Sequence, residues 1–345
     1  CNTLECLIHN APITREAFLA ASARRRVKLN QVQSKHQFGI AMPVYLDESR
    51  AKETLSMPEV IEAVGDMFLR QHRGEVKNVP RTRAPVFDRS LNVTAATDVS
   101  TGRFAVKVYG AGGFHILLYS RNEGLLAIME ADWLGQLRTG AATGLATRLL
   151  ARPQSRIVGL IGAGRQARCQ LLALQAIGMM DEVRVFGRDR AKRETFCDAM
   201  AKMLSCRITP VDSGQAAVAS ADIIVTATNS STPVLDRSWL APGVHVNGMG
   251  ANSASRSELD PEIVAEAMIV VTDDPSQARA EAGEFRTLDQ AGRMDWERIM
   301  PLSQLIGNGP PERSASAITV FKSLGCGLED LAIASLFYDS ISTGA

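Results

Sequence analysis

The sequence predicts an α/β fold that contains a doubly wound parallel sheet. From about Arg152 onward, strand-like apolar runs alternate with segments of helical periodicity, which is the pattern of successive βα units. The first of these strands ends in a glycine-rich run, residues 159–164, and a helical segment follows it. Upstream of Arg152 the short strands follow one another directly, which predicts a separate antiparallel meander.

The N-terminal part is predicted to begin with a helix. Ser56 can cap this helix, Pro58 suits its first turn, and Glu59 faces the positive end of its dipole. Pro80 and Pro85 are then expected to break the chain before the meander. The meander strands are predicted at Asn92–Ala96, Arg103–Tyr109, His115–Ser120 and Leu125–Glu130.

The C-terminal part is predicted to alternate strands and helices. The strands are predicted at Arg156–Ile161, Glu182–Phe186, Arg207–Val211, Ile223–Ala227, Val244–Asn247 and Met268–Thr272. Helices are predicted at Gly164–Gly178 and Ala191–Leu204. Near the end of the chain, Ile318–Lys322 is strand-like and Leu328–Phe337 is helical, and this piece is expected to return and pack on the first domain.

Composition argues against several classes of protein. At about 150 residues per domain, the 345 residues correspond to about two domains. Lys plus Arg number 38 against 37 for Asp plus Glu, and this net charge of +1 argues against a nucleic-acid partner. No apolar run approaches the roughly 20 residues of a membrane-spanning helix, so no membrane partner is expected. The six cysteines contain no C-x-x-C pair, which favours a reducing, cytoplasmic location.

Residues 1–41 form a distinct N-terminal segment. The segment is rich in Arg and Lys, poor in acidic residues, and shows no regular periodicity. The simpler interpretation is an upstream extension, with the working protein starting near Met42. The alternative is an organelle transit peptide, which has the same arginine-rich, acid-poor composition.

The glycine-rich run is the strongest single motif. An apolar strand leads into Gly162-Ala163-Gly164-Arg165-Gln166-Ala167 and then into a helix, which matches the pattern G-x-G-x-x-A. Gly162 permits the tight turn, Gly164 lets the backbone approach a pyrophosphate, and Ala167 allows close packing of helix on sheet. Free N–H groups at the helix start can bind phosphate. The motif therefore predicts a dinucleotide site, and the alternative is a tight turn that binds nothing.

The residue after the second strand of the parallel sheet bears on the choice of dinucleotide. NAD-binding folds often place Asp or Glu there, about 20 residues beyond the glycines, to bind the ribose 2′-hydroxyl. Here Arg188 takes that position, and an arginine can pair with a 2′-phosphate. The sequence therefore favours NADP(H). NAD(H) stays open, because Arg188 could be an exposed loop residue and Asp189 could turn inward.

Basic residues upstream of the glycines are candidates for substrate chemistry. Lys107 lies in an apolar strand, so it either faces solvent or points into a site where desolvation lowers its pKa and favours proton transfer. Arg81 could bind a carboxylate through two parallel hydrogen bonds. Taken alone, each is more simply a solvent-facing residue. Arg138 and Thr139 lie in a run of small residues that predicts close helix packing, near a helix start that could bind an anion.

Several separate motifs, in order along the chain, carry a resemblance to a known family. The stretches are Pro80-Arg81, Lys107–Tyr109, Gly112–His115, Glu130–Asp132, Leu137–Ala141, Gly162–Ala167, Asp222–Thr228, Pro242–His245, Gly248–Gly250 and Gly325–Asp330. From about Met42 to Ile341, the chain resembles the ornithine cyclodeaminase/mu-crystallin family. Motifs in this order are far more specific than the glycine loop alone.

The resemblance implies a homodimer whose subunits each combine two domains. A discontinuous α+β substrate-binding and dimerisation domain, residues 42–151 plus 318–345, would hold an inserted Rossmann dinucleotide-binding domain, residues 152–317. Arg81 and Arg138 would bind the carboxylate of a small amino or imino acid, and Lys107 would transfer a proton. Arg83 is an alternative to Arg81.

The resemblance also implies which residues surround the nucleotide. Together with Arg188, the implied residues are Thr139, Gly162, Ala163, Gly164, Arg165, Gln166, Ala167, Thr226, Ala227, Thr228, Val246, Gly248, Met249 and Gly250.

One departure from the family pattern separates the possible activities. Where the resemblance implies a catalytic aspartate in ornithine cyclodeaminases, this chain has Asn252, and an amide cannot accept and return a proton at ordinary pH. The expected activity is therefore NAD(P)-dependent reduction of a small cyclic imine or 2-oxo/imino acid, or amino-acid dehydrogenation, with Asn252 beside the substrate. The alternatives are cyclodeamination of ornithine to proline and ammonia, and a nucleotide-dependent binding protein like mu-crystallin. His72, His115 and His245 lack metal-ligand spacing, so no metal is expected.

Overall fold

The computed structural model describes residues 42–110 and 112–342. These residues form two β-sheets with helices packed on them, so the predicted α/β fold is confirmed. The predicted extension, residues 1–41, lies outside the described residues. In the two described ranges, no helix is both long and apolar enough to cross a membrane.

The first sheet has six strands and contains the meander. The strands are β1 (Val44–Leu46), β2 (Val76–Val86), β3 (Arg89–Asp98), β4 (Arg103–Gly110), β5 (Gly113–Ser120) and β6 (Gly124–Glu130). Their spatial order is β1-β6-β5-β4-β3-β2, with β1 parallel to β6 and the other neighbours antiparallel. Two helices, α1 (Glu48–Thr54) and α2 (Met57–His72), precede β2. As predicted, α2 begins after Ser56, whose backbone N–H and hydroxyl donate to Glu59 Oε2 at 3.0 and 2.6 Å.

Pro80 and Pro85 predict a chain break, and this prediction is wrong. Both prolines lie within β2, a single long strand at the edge of the sheet. An edge strand tolerates proline because one side of its backbone has no neighbouring strand to bond. The register of β2 against β3 shifts between Val79 and Thr82, which is the irregularity that carries Arg81.

The second sheet has eight strands, and every neighbouring pair is parallel. The strands are β7 (Ile157–Ile161), β8 (Glu182–Phe186), β9 (Arg207–Pro210), β10 (Ile223–Thr226), β11 (His245–Gly248), β12 (Ile269–Thr272), β13 (Ile299–Pro301) and β14 (Thr319–Lys322). Their order is β13-β12-β14-β11-β10-β7-β8-β9. The remaining helices are α3 (Asp132–Leu150), α4 (Arg165–Ala176), α5 (Arg190–Ala201), α6 (Gly214–Val218), α7 (Pro261–Glu266), α8 (Pro275–Glu281), α9 (Gly283–Gln290), α10 (Leu302–Asn308) and α11 (Gly327–Ser342).

The strand-like run Ile318–Lys322 is predicted to belong to the first domain, and the structure corrects this prediction. Strand β14 lies inside the parallel sheet, between β11 and β12. All four of its residues are buried, and a strand covered on both faces has no alternating pattern that would identify its sheet. Helix α11 packs with the first sheet, where Leu328, Leu331 and Phe337 join the same core as Ile116.

The small residues of α3 allow close packing against α4, as the sequence predicts. A Cβ atom at Gly140 would collide with the carbonyl of Cys169, and one at Gly144 would lie 3.3 Å from the Ala173 Cβ. Helix α3 is thereby held directly against the first helix of the parallel sheet. Side chains on α3 therefore have fixed positions relative to the glycine loop.

Candidate active site

A cleft of about 740 Å³ lies between the two sheets. One wall consists of the loops after β7, β8, β10, β11 and β14, at the carboxyl edge of the parallel sheet, where such folds bind ligands. Residues of β2, β4, β5 and α3 form the other wall. The predicted site residues that line the cleft are Arg81, Lys107, Arg138, Thr139, Gly162, Ala163, Gly164, Arg165, Gln166, Arg188, Ala227, Thr228, Met249, Gly250 and Asn252.

The glycine loop has the geometry that a pyrophosphate requires. Gly162 has a φ of +114°, and a Cβ there would collide with the carbonyl of Ala227. At Gly164 a Cβ would meet no atom within 4 Å, so the backbone borders open space. Helix α4 starts at Arg165 without a side-chain cap, which leaves its first N–H groups free to bind phosphate. The residues present therefore fit a dinucleotide.

The loop after β8 forms a basic rim at one end of the cleft. Arg188 is exposed and lines the cleft, and Lys192 of α5 lies beside it. Asp189 also lines the cleft, and its side chain is bonded to α5. Its Oδ1 accepts the N–H of Lys192 at 3.0 Å and caps α5, and this hydrogen bond lowers the pKa of Asp189.

Lys107 points into the cleft and not into solvent. Only 3% of the residue is exposed, and its Nζ lies 3.1 Å from Asp330 Oδ1 on α11. Asp330 also accepts the hydroxyl of Thr94 at 2.8 Å. Burial lowers the pKa of Lys107, against the opposing effect of Asp330. The side chain therefore carries an amine that gives up its proton more readily than an ordinary lysine.

Arg138 lies beside Lys107 and shares its acidic partner. Arg138 Nη1 is 2.7 Å from Glu329 Oε2, and its Nε is 3.1 Å from Asp330 Oδ1. Burial raises the pKa of Glu329 to about 7, although the guanidinium of Arg138 acts in the opposite direction. Glu329 therefore changes its charge near neutral pH.

The expected anion site at the start of α3 is not where Arg138 and Thr139 lie. Helix α3 begins at Asp132, so both residues lie in its second turn, where backbone N–H groups are already bonded within the helix. The Thr139 hydroxyl donates to Gly135 O at 2.7 Å. Anion binding on this wall therefore depends on the Arg138 side chain.

Of the two arginines on β2, Arg81 lines the cleft and Arg83 does not. Arg81 is already engaged: Nη1 contacts Glu281 Oε2 at 2.5 Å, and Nη2 donates to Leu324 O and Gly325 O, both at 2.7 Å. Its Nε has no hydrogen-bond partner among the described residues. Only 1% of the Arg81 side chain is exposed, against 10% of the Arg138 side chain, so Arg138 is the more available guanidinium for a carboxylate.

Four of the predicted nucleotide residues do not reach the cleft. They are Ala167, Thr226, Val246 and Gly248, and all four are buried. Side chains within a parallel strand point at the helices above and below the sheet, so only the residues beyond the strand end reach a ligand. Ala167 contributes to packing of α4, as its place in the motif predicts.

Several site residues were missed from the sequence. The acids Glu281, Glu329 and Asp330 pair with the predicted cations, and Tyr109 and Lys192 line the cleft. The available signal was the acidic pair in the motif at residues 325–330, because two carboxylates in an apolar segment need buried partners.

The family model of the ornithine cyclodeaminase/mu-crystallin family matches residues 42–345. The chain belongs to this family. It is similar to a putative dehydrogenase of Rhizobium meliloti, with 35% identity over 295 residues, covering 84% of this chain and 86% of that protein. The fold is similar to that of Thermococcus litoralis Δ1-pyrroline-2-carboxylate reductase in complex with NADH and L-proline (30% identity, TM-score 0.83, 88% of this chain and 98% of that chain). It is also similar to an archaeal alanine dehydrogenase dimer with bound NAD (27% identity, TM-score 0.81, 88% and 97%).

Other relatives include ketimine reductase mu-crystallins and a probable ornithine cyclodeaminase. At this level the protein is an enzyme of the family, an NAD(P)-dependent oxidoreductase. Within residues 42–110 and 112–342, no group of three or more His, Cys, Asp or Glu side chains could hold a metal ion.

Proposed function

We propose that this enzyme uses NADPH to reduce the C=N bond of a small cyclic imine carboxylate. The observation that carries the proposal is the buried amine of Lys107, which lines the same cleft as the glycine loop and lies beside Arg138. An amine of lowered pKa is suited to donate a proton near neutral pH, and a guanidinium is suited to bind a carboxylate.

The reduction adds a hydride to the imine carbon and a proton to the imine nitrogen, while NADPH becomes NADP⁺. A bound nicotinamide supplies the hydride. Lys107 donates the proton to the nitrogen, and Asp330 holds the lysine amine in position. Arg138 binds the carboxylate and thereby orients the imine carbon toward the nucleotide wall. The second cation on this wall, Arg81, lines the cleft with its guanidinium already bonded to Glu281 and to backbone carbonyls.

The charges and rings of the substrate wall favour a cyclic monocarboxylate. The three cations described above and Arg83, which shares Glu281, are paired with three carboxylates, so a single negative charge on the substrate completes the balance and a second would lack a counter-ion. The ring of Tyr109 lies 5.6 Å from Lys107 Nζ and stacks on Phe114, with 5.6 Å between the ring centroids. This aromatic pair offers an apolar surface to a five- or six-membered ring.

The proposal is tested by NADPH and NADH oxidation against a panel of substrates. The panel contains pyrroline-2-carboxylate, piperideine-2-carboxylate, and pyruvate with ammonia or methylamine. Oxidation with a cyclic imine supports the proposal, and oxidation only with pyruvate and an amine indicates an amino-acid dehydrogenase. L-ornithine with an ammonia readout is run alongside, because ammonia without net nucleotide turnover would establish cyclodeamination and show that Asn252 is no barrier to it.

We also propose that the enzyme is a homodimer formed through the outer face of the first sheet. Val106, Leu117 and Ile128 are directly paired neighbours on β4, β5 and β6, and each is only partly buried. Val93 and Val108 extend this apolar row onto β3 and β4. The similar alanine dehydrogenase is a dimer. Light scattering gives the mass of the assembly, and a monomer would contradict the proposal.

The preference for NADPH rests on Arg188, and Arg188→Ser should remove it. We expect kcat/KM with NADPH to fall by about 10- to 100-fold, the value of one charge-assisted hydrogen bond, with little change for NADH. Arg190→Ser is the matched control, since Arg190 is exposed, pairs with Glu194 and does not line the cleft. Equal losses with both nucleotides, or no loss with NADPH, would count against the assignment.

Glu329 should make substrate affinity depend on pH near neutrality. Because the pKa of Glu329 is raised to about 7, lowering the pH from 8 to 6 neutralises this carboxyl and leaves Arg138 with one counter-charge fewer. The KM for the imine carboxylate should therefore fall at lower pH, by about tenfold or roughly 1.4 kcal/mol. In Glu329→Gln the KM should be low and nearly constant, whereas exposed Glu62→Gln should behave like wild type. A Glu329→Gln enzyme with the wild-type pH profile would refute this role.

A further inference from the structure

The loop that presents Asn252 is bonded by two fully buried charged side chains that do not line the cleft. It consists of Gly250, Ala251 and Asn252, shortly after β11, and Gly250 and Asn252 line the cleft. Glu258 holds it on one side and Lys322 on the other, and the partly exposed Arg83 donates to Asn252 O at 2.6 Å. Glu258 and Lys322 are fully buried, with 0% exposure.

Glu258 ties this loop to the loop after β10. Its Oε1 accepts the backbone N–H and the hydroxyl of Thr228, at 2.6 and 2.7 Å. Its Oε2 accepts the backbone N–H groups of Gly250 and of Ala251, the latter at 3.0 Å. A Cβ at Gly250 would collide with the backbone of Thr228, so the two loops approach too closely for any larger residue. The Glu258 carboxylate therefore accepts four hydrogen bonds from two loops that line the cleft.

Lys322 holds the same loop from the sheet. Its Nζ donates to Ala251 O at 2.7 Å and lies 3.0 Å from Glu284 Oε1, at the start of α9. Neither oxygen of Glu284 has a hydrogen-bond partner among the described residues, so its buried negative charge is compensated by the ion pair with Lys322. The Ala251 residue is thus held at both its N–H and its C=O.

A buried ion pair is a costly way to stabilise a fold. Replacing such a pair by apolar side chains of similar volume is often neutral or stabilising, because the desolvation of two charges is avoided. An apolar pair in place of Lys322 and Glu284 would leave Ala251 O without its donor. The buried Lys322–Glu284 pair is therefore explained better by the hydrogen bond that it gives to the loop than by a contribution to the stability of the fold.

We propose that Glu258 and the Lys322–Glu284 pair are positioning residues that fix Asn252 against the substrate. This inference rests on the proposed function, since it assumes that Asn252 contacts the substrate. Its consequence is that the residues act on turnover through Asn252 and lose that effect when Asn252 is removed.

The experiment compares the apolar pair swap Lys322→Met/Glu284→Leu in two backgrounds, wild type and Asn252→Ala. In the wild-type background we expect kcat to fall at least tenfold, with a melting temperature equal to or above that of wild type. In the Asn252→Ala background the swap should change kcat by less than twofold. The matched control is Arg293→Met/Glu262→Leu, which removes an exposed ion pair away from the cleft and should leave kcat unchanged.

Glu258→Gln provides a second arm, because it keeps the shape of the side chain but loses acceptor capacity. It should lower kcat more than it raises the nucleotide Kd, and this effect should also disappear in the Asn252→Ala background. If the pair swap does not fold, this arm decides the question. Wild-type kcat in either folded variant, or an undiminished effect without Asn252, would overturn the proposal.

Amide hydrogen exchange separates failure of this proposal from failure of the proposed function. Exchange at residues 250–252 needs no substrate, and it should rise at least tenfold in both variants. If the wild-type enzyme reduces no imine but exchange at residues 250–252 rises in the variants, the positioning of the loop is supported and the proposed function fails. If the wild-type enzyme is active and exchange at residues 250–252 does not change in the variants, the positioning of the loop by these charged residues is wrong.

Discussion

Replacing Lys107 by methionine is expected to lower kcat for imine reduction by about 10²- to 10⁴-fold. Methionine keeps a flexible apolar stem but lacks the amine that protonates the imine nitrogen. Nucleotide affinity should stay within about twofold of wild type, because Lys107 bonds to Asp330 on the substrate wall and not to the glycine loop. The measurements are steady-state kcat with the imine and nucleotide Kd from fluorescence titration.

Lys202→Met, at an exposed position after α5, is the matched control and should behave like wild type. In Lys107→Met the carboxylate of Asp330 retains Arg138 and Thr94 as partners, so we expect the fold to survive. A melting curve checks this. Wild-type kcat in a folded Lys107→Met enzyme would show that the proton comes from another group.

Gly164→Val is expected to abolish nucleotide binding without disturbing the fold. No atom lies within 4 Å of a Cβ at this position, so a larger side chain can be accommodated in the free protein. The valine would then occupy the space that the pyrophosphate needs at the start of α4. We expect Kd for NADPH to rise by at least about 100-fold, roughly 2.7 kcal/mol.

The control for Gly164→Val is Ala176→Val, at an exposed position at the other end of α4, which should bind NADPH like wild type. Gly162 would not serve as a test. Its φ of +114° and its contact with the Ala227 carbonyl mean that a side chain there would disturb the fold itself. If Gly164→Val bound NADPH with wild-type affinity, the glycine loop would not be the pyrophosphate site.

Local signals predicted most of the secondary structure. The capping pattern at Ser56, the alternation along β3–β6 and the glycine motif each depend on neighbouring residues, and the structure has the corresponding elements close to the predicted limits. The β2 segment shows where such signals are insufficient. Pro80 and Pro85 are compatible with a strand only at an edge, and whether a strand is an edge depends on the whole sheet.

Long-range contacts could not be predicted from the sequence. Lys107 and Asp330 are 223 residues apart, so the strand lysine gave no indication of its partner. Strand β14 carries Lys322 at its end and has no alternating pattern that would place it in one sheet or the other, yet it lies in the middle of the parallel sheet. Its lysine is buried because Glu284, on a helix 38 positions upstream, compensates its charge.

The central claim is that hydride passes from the nucleotide to the α-carbon of a cyclic imine acid. NADPH carrying deuterium at the transferable C4 position tests it directly, with mass spectrometry of the amino-acid product. The account predicts one deuterium at the α-carbon of proline formed from pyrroline-2-carboxylate, or of pipecolate formed from piperideine-2-carboxylate. The claim would be contradicted if neither product carried deuterium and if the enzyme released ammonia from ornithine without net oxidation of NADPH.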